Sequence, residues 1–181
     1  MGLEKRKIIQ FIYNDFEDLE LWYPVLRLRE AGVTVAIAGE ETGTVYTGKY
    51  GVPATCDISF ETLDYRQWDG VLIPGGWAPD KLRRFSSVLE FVRGMNKTKK
   101  IIGQICHAGW VTASANILKG RQVTSTPGIK DDLTNAGAAW TDEAVIVDNN
   151  LVSARRPPDL PAYMKSFLSV LEKQPSREVH T

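Results

Sequence analysis

Lys99-Lys100-Ile101-Ile102-Gly103-Gln104-Ile105-Cys106-His107-Ala108-Gly109-Trp110 is the stretch whose reading decides the fold. Two lysines lead into an apolar, β-branched run, the pattern of a buried strand. Cys106 follows, with Gly103 before it and Ala108 and Gly109 after it. A helical pattern then runs through Val111, Ala113, Ala115 and Leu118, and Gly120 ends it. Strand, cysteine and helix with small neighbours form the outline of a nucleophile elbow, in which a sharp turn pushes one side chain out of the sheet. A cysteine there meets a helix N-terminus, whose dipole and free N–H groups favour thiolate over thiol. A second reading stays open from this stretch alone, because free cysteine is among the most buried residue types.

Working outward, strands alternate with helices. Lys7 to Tyr13 reads as a first, central strand, followed by an acidic helix start and an apolar stripe of Leu21, Val25 and Leu28. Val33 to Ala38 is a second strand, and Gly43, Gly48 and Gly51 punctuate a hairpin or two edge strands between Thr42 and Asp57. Ser59 to Trp68 reads as a short helix and loop, Gly70 to Ile73 as a strand ending in Pro74-Gly75-Gly76, and Asp80 to Met95 as one helix. Gln122 to Ser125 is a short strand and Ile129 to Asn135 a helix that Gly137 stops. Ala144 to Asp148 and Leu151 to Ala154 pair across Asn149-Asn150. A last helix runs to Lys173. Such alternation predicts an α/β fold, a doubly wound and mostly parallel sheet with helices on both faces.

Composition bounds the function. A chain of 181 residues suits one domain, expected over 1–174, with a disordered tail over 175–181 that holds His180. With 22 basic and 22 acidic residues the formal net charge is zero, which offers no footprint for nucleic acid or an acidic membrane surface. No apolar run reaches the length of a membrane span, and Cys56 and Cys106 make no disulfide framework. The expected location is the cytoplasm, with reduced thiols. Neither a metal nor a cofactor is expected.

In sheets of this kind the ligand crevice lies beyond the carboxyl ends of the strands. Three such ends carry chemistry: Asp15, Glu17 and Asp18 after the first strand, Gly75-Gly76 after the Gly70 strand, and Cys106-His107. A thiol, an imidazole, a carboxyl and flexible backbone at one rim favour a reactive Cys106 over a buried structural one.

On Phe16-Glu17-Asp18-Leu19-Glu20-Leu21, Pro74-Gly75-Gly76-Trp77-Ala78-Pro79-Asp80, Ile105-Cys106-His107, Pro127 to Asp132 and Ser153 to Leu160, the chain resembles the PfpI family of intracellular cysteine peptidases. That family is part of the superfamily of the parkinsonism-associated protein deglycase and class I glutamine amidotransferase domains. The resemblance implies a flavodoxin-like fold and a homodimer or hexamer with sites near the interface. Carried over, it makes Cys106 the nucleophile and His107 the proton acceptor, and it puts Glu17 beside the sulfur. It also makes Gly75, Gly76 and the His107 N–H an oxyanion hole, and it has Asp80 reach His107 of a neighbouring subunit. The family commonly has Gly where Ala108 stands and Glu where Asp80 stands.

Each role has a plainer counterpart. His107 can be a rim histidine, Glu17 a first-turn carboxyl facing the helix dipole, Asp80 a helix N-cap, and Gly75-Gly76 a tight turn. Trp77 and Trp110 can wall a pocket or simply pack. Three functions follow from the resemblance: turnover of small carbonyls or glycation adducts, cysteine peptidase or amidase activity on peptides, and a non-enzymatic redox sensor or chaperone.

Overall fold

The computed structural model describes residues 2–175; the expected tail, apart from Pro175, lies outside the described residues. In chain order the elements begin with β1 (Lys7–Phe11), α1 (Asp18–Glu30) and β2 (Thr34–Gly39). The short strands β3 (Val45–Thr47), β4 (Pro53–Thr55) and β5 (Ile58–Ser59) follow, then β6 (Gly70–Ile73). Next come α2 (Ala78–Leu82), α3 (Ser86–Lys97), β7 (Ile101–Ile105) and α4 (Gly109–Ser114). The chain closes with β8 (Gln122–Val123), α5 (Lys130–Asn135), β9 (Ala139–Trp140), β10 (Val145–Asp148), β11 (Leu151–Ala154) and α6 (Leu160–Lys173).

Seven strands form the central sheet in the order β10-β11-β7-β6-β1-β2-β5, all parallel except the β10–β11 hairpin. Every residue of β6 and β7 is buried, because helices cover both faces and leave no solvated side. α1 packs against α6, while α2, α3 and α4 pack together and α4 meets α5. From β1 the chain winds outward to β2 and then returns to β6 on the other side, so the switch point lies between β1 and β6. An isolated bridge from Phe16 to Gly76 ties the two loops leaving that point.

Three elements differ from the sequence reading. The expected helix from Asp80 to Met95 is broken into α2 and α3, with Phe85 extended between them. Phe85 packs against the rings of Tyr13 and Phe60 at 5.8 and 5.2 Å, and burying that ring outweighs an unbroken helix. The helix after Cys106 ends at Ser114 because Asn116 adopts a left-handed φ of 58°. The Ile117 N–H then bonds back to Thr112, closing a Schellman motif. Ser59 to Trp68 forms β5 and two 3-10 turns, Phe60–Thr62 and Tyr65–Gln67, each started by a side-chain cap. The β10–β11 hairpin forms as read, and of the two readings of 42–57 the structure takes the hairpin, β3–β4, in a two-stranded sheet of its own.

Candidate active site

Cys106 leaves β7 with φ of 59°, a conformation that costs an ordinary residue about 1–2 kcal/mol. A 3-10 turn over Cys106–Ala108 then feeds α4. Gly109 lets that helix pack closely: a Cβ there would meet the Leu133 side chain at 2.9 Å. The elbow brings two consecutive side chains together, with His107 Nδ1 3.2 Å from Cys106 Sγ. Cys106 is 9% exposed.

The carboxyl beside the sulfur belongs to Glu20, not to Glu17 as expected. Glu17 is the N-cap of α1, and its Oε2 accepts from the Glu20 N–H at 2.9 Å. Glu20, one turn in, is 1% exposed and reaches the thiol. Its Oε2 accepts from the Gly75 N–H at 2.8 Å, and its Oε1 receives no hydrogen bond among the described residues. Burial, with the charge of Glu17 second, pushes the Glu20 carboxyl up to about 8, so it is protonated at neutral pH. The proton belongs on the unsatisfied Oε1, since Oε2 is taken up as the acceptor from the Gly75 N–H.

The expected gain of a thiolate at the helix terminus is overridden. Burial, then the charge of an ionised Glu20, pushes the Cys106 thiol up to about 12, against the N–H groups of Gly76 and His107 that favour the thiolate. With Glu20 protonated the repulsion disappears and the same carboxyl becomes a donor, so the two groups titrate together.

The expected oxyanion hole is corrected in the same way. The Gly75 N–H is committed to Glu20, leaving the Gly76 and His107 N–H groups facing the sulfur. Gly75 is obligatory by space: a Cβ would lie 2.2 Å from Glu20 Oε2 and 2.5 Å from Cys106 Cβ. Gly76 has φ of 72°, and a Cβ there would meet the Asp15 carbonyl at 2.3 Å.

His107 is held between two indoles, with ring centroids 5.3 Å from Trp77 and 5.1 Å from Trp110. Burial, with Lys49 second, lowers its pKa, so the ring is neutral and can accept a proton. Trp110 is oriented by its Nε1–H, which donates to Asp132 at 2.8 Å. Beside the indoles lies a cleft of about 380 Å³ that also includes Tyr13, Asp15 and Asp80. Asp80 is not the N-cap of α2, since Trp77 holds that position. Within the chain Asp80 pairs with Arg84 at 2.6 Å and faces away from solvent only partly.

The sequence reading placed Asp18 at the rim without a role and did not find Lys49. Asp18 is buried and accepts from the Tyr50 and Val52 N–H groups at 2.8 Å each, pinning the β3–β4 turn against α1. That turn carries Lys49, whose charge is felt at Glu17, Glu20 and His107. Arg155 is taken up by Asp159 and Asp142, and Cys56 is buried with its thiol donating to the Ile58 carbonyl. Among the described residues no group of His, Cys, Asp and Glu is arranged to hold a metal, and no helix is long and apolar enough to cross a membrane.

A strand-end thiol with a buried acid and an adjacent imidazole on a flavodoxin-like sheet defines a class of cysteine-centred α/β proteins. The chain belongs to the DJ-1/PfpI family, which it matches over residues 6–170. It is 42% identical over 166 residues to deglycase PH1704 of Pyrococcus horikoshii, covering 92% of this chain and 99% of that protein. It is 36% identical over 167 residues to YraA of Bacillus subtilis, which is named as a candidate cysteine protease, covering 92% and 99%. Among solved structures it is similar to a two-domain protein of Anabaena variabilis with DJ-1/ThiJ/PfpI-like and ferritin-like domains. That likeness has a TM-score of 0.91 and 33% identity, over 98% of this chain and 52% of that one. Schizosaccharomyces pombe DJ-1 shares the fold, with a TM-score of 0.82 and 21% identity over 95% of this chain and 93% of that one.

Proposed function

We propose that this protein is a cysteine-dependent enzyme acting on small reactive carbonyls and on their early adducts with amines, in the manner of a glyoxalase or deglycase. The observation that carries the reading is the pairing of a nearly buried thiol with a protonated Glu20, at a rim narrowed by Trp77 and Trp110. A small aldehyde fits such a rim, whereas a peptidase needs a groove for extended chain. The names of the archaeal relatives support the same reading.

With a 2-oxoaldehyde, Cys106 Sγ bonds to the aldehyde carbon and the thiol proton passes to His107 Nδ1. The carbonyl π pair moves to oxygen, which the Gly76 and His107 N–H groups steady and the Glu20 proton neutralises. Glu20, now ionised, takes the proton from the same carbon, whose C–H pair forms an enediol as the protonated His107 gives its proton to the neighbouring carbonyl oxygen. Glu20 then returns its proton to that neighbouring carbon while the hydroxyl proton of the first carbon passes back to His107, leaving a thioester. One carbon is oxidised and its neighbour reduced, so no external oxidant enters. Water then cleaves the thioester to a 2-hydroxy acid and the free thiol. From an amine adduct, the amine leaves as sulfur takes over the carbon.

We further propose that the working form is a homodimer or hexamer in which Asp80 of one copy orients His107 of another. What supports this reading is that Asp80 lines the same cleft as Trp77 and Trp110, the two indoles that hold His107, at a rim a second copy can meet. The deciding experiment measures methylglyoxal consumption with lactate formation beside hydrolysis of a fluorogenic peptide, using Cys106→Ser as control. Lactate formation lost in the variant is expected; peptide turnover without lactate would overturn the carbonyl reading in favour of a peptidase.

A further inference from the structure

A second cleft, of about 690 Å³, opens at the opposite end of the strands, where β7 begins and the β10–β11 hairpin turns. Cys106 follows the far end of β7, roughly 20 Å away at about 3.3 Å per strand residue. Nothing in the proposed chemistry uses this end.

The cleft gathers charge in a chain whose formal net charge is zero. Lys99, Arg121 and Lys173 line it against one carboxylate, Asp148. Asp148 is spent within the fold: it lies 3.7 Å from Arg121 and accepts from the Gln122 N–H and from Asn149 Nδ2. Arg121 is a fixed wall, donating to Asn96 Oδ1 at 2.7 Å, to Asn150 Oδ1 at 2.8 Å and to the Asp148 carbonyl at 3.0 Å. Lys99 and Lys173 have no ion-pair partner among the described residues. Val170 and Pro175 add apolar surface.

Lys99 also occupies a position that disfavours it. Three other helices close with a Schellman motif whose left-handed residue is Gly32 after α1, Asn116 after α4 and Gly137 after α5. The same motif closes α3, with the Lys100 N–H bonding to Met95, but its left-handed residue is Lys99 at φ of 57°. A side chain there costs stability that glycine would not. Favourable charge against the α3 dipole is already supplied by Lys97 in the last turn. Strain held at the mouth of a cation-lined cleft points to a use for the side chain.

We infer that this cleft binds a phosphomonoester-bearing small molecule, with Lys99 and Lys173 taking the phosphate and Arg121 as the fixed wall behind it. Two ammonium groups with no ion-pair partner among the described residues match a phosphomonoester, which carries about −1.5 to −2 charge at neutral pH. Val170 and Pro175 would take the organic body.

The test is an amide-resolved NMR titration of the full chain with phenyl phosphate and with inorganic phosphate, at constant ionic strength, on wild type, Lys99→Gly, Lys173→Ala and Cys106→Ser. Saturable shifts at Lys99, Arg121, Asn149 and Val170 are expected, weakened about tenfold in each lysine variant and unchanged in Cys106→Ser. Tighter binding of phenyl phosphate than of inorganic phosphate would place the organic body on Val170 and Pro175. Lys99→Gly should also raise Tm by about 2–4 °C, which separates lost binding from lost fold. Absence of saturable shifts at this cleft, shifts spread over surface lysines elsewhere, or binding that survives both lysine substitutions would overturn the inference.

Discussion

Cys106 and His107 are consecutive, yet Sγ and Nδ1 lie 3.2 Å apart. On a regular helix neighbours point about 100° apart and do not face each other. The left-handed Cys106 backbone and the 3-10 turn after it remove that separation. The contact is therefore a product of strain at the elbow, and the chemistry around it makes definite predictions.

Alkylation of Cys106 should follow the state of Glu20. Because Glu20 ionises near pH about 8 and then repels a thiolate, the wild-type iodoacetamide rate should level off as pH passes through that value. In Glu20→Gln the rate should keep rising. Peptide mapping from pH 6 to 10 reads both, with Cys56 as the slow internal reference. Superimposable profiles would show that Glu20 does not govern the sulfur.

The same group makes stability depend on pH. Its folded pKa of about 8 lies above the ordinary value of 4.5, so the native state holds the proton more tightly than the unfolded chain. Glu20 burial is therefore tolerated fully below pH 4.5 and becomes increasingly costly as pH rises toward 8. Between pH 5 and 8 wild-type Tm should fall relative to that of Glu20→Gln, and above pH about 8 the two should run parallel. Calorimetry on the two proteins checks the sign; curves parallel below pH about 8 as well would contradict it.

Glu17→Ala should act on the helix and not directly on sulfur. Loss of an N-cap costs about 1 kcal/mol, or a Tm drop of about 2–4 °C in a chain of this size. Thermal melts beside carbonyl turnover separate the roles: Glu17→Ala should keep most of its activity, and Glu20→Ala should lose about a hundredfold or more.

Gly75→Ala should abolish turnover. Its Cβ would press on Glu20 Oε2 and Cys106 Cβ, whose positions are set by buried backbone. Near-normal kcat in a folded Gly75→Ala protein would mean that the Glu20–Gly75–Cys106 arrangement is not the working one.

Asp80→Asn tests the shared site. The Asp80–Arg84 pair is exposed and spans one helical turn, so its loss should change stability by less than about 0.5 kcal/mol. Activity should nevertheless fall, and dilution to monomer should lower it likewise, because an orienting carboxylate fixes the imidazole tautomer. Light scattering coupled to an activity titration measures both. A fully active monomer would leave Asp80 as a surface ion pair.

Much of the architecture is written locally. The apolar run Ile101 to Ile105, the small residues around Cys106 and the Gly75-Gly76 turn each follow from short-range rules, and alternation of strand and helix then requires a parallel sheet with its crevice at the strand ends. The break at Phe85 was not legible, because it depends on Tyr13 and Phe60, far away in the chain.

The choice between two carboxyls shows the same boundary. Glu17 and Glu20 both suit the first turn of α1 by charge, and nothing local separates them. One signal was present: Glu20 falls in register with Pro24 and Leu28 on the buried side of the helix, where a carboxyl is costly. Only the packing of α1 over the β6 turn decides that Glu17 caps the helix, that Glu20 meets the thiol, and that the Gly75 N–H is used up in holding it. The far cleft is likewise tertiary, since Lys99, Arg121 and Lys173 come from three separate stretches. Sequence by itself determined the sheet and the elbow that carries Cys106, because these rest on periodicity and turn chemistry. Tertiary structure decided which acid and which N–H groups serve the sulfur, because burial and desolvation exist only once the layers are packed.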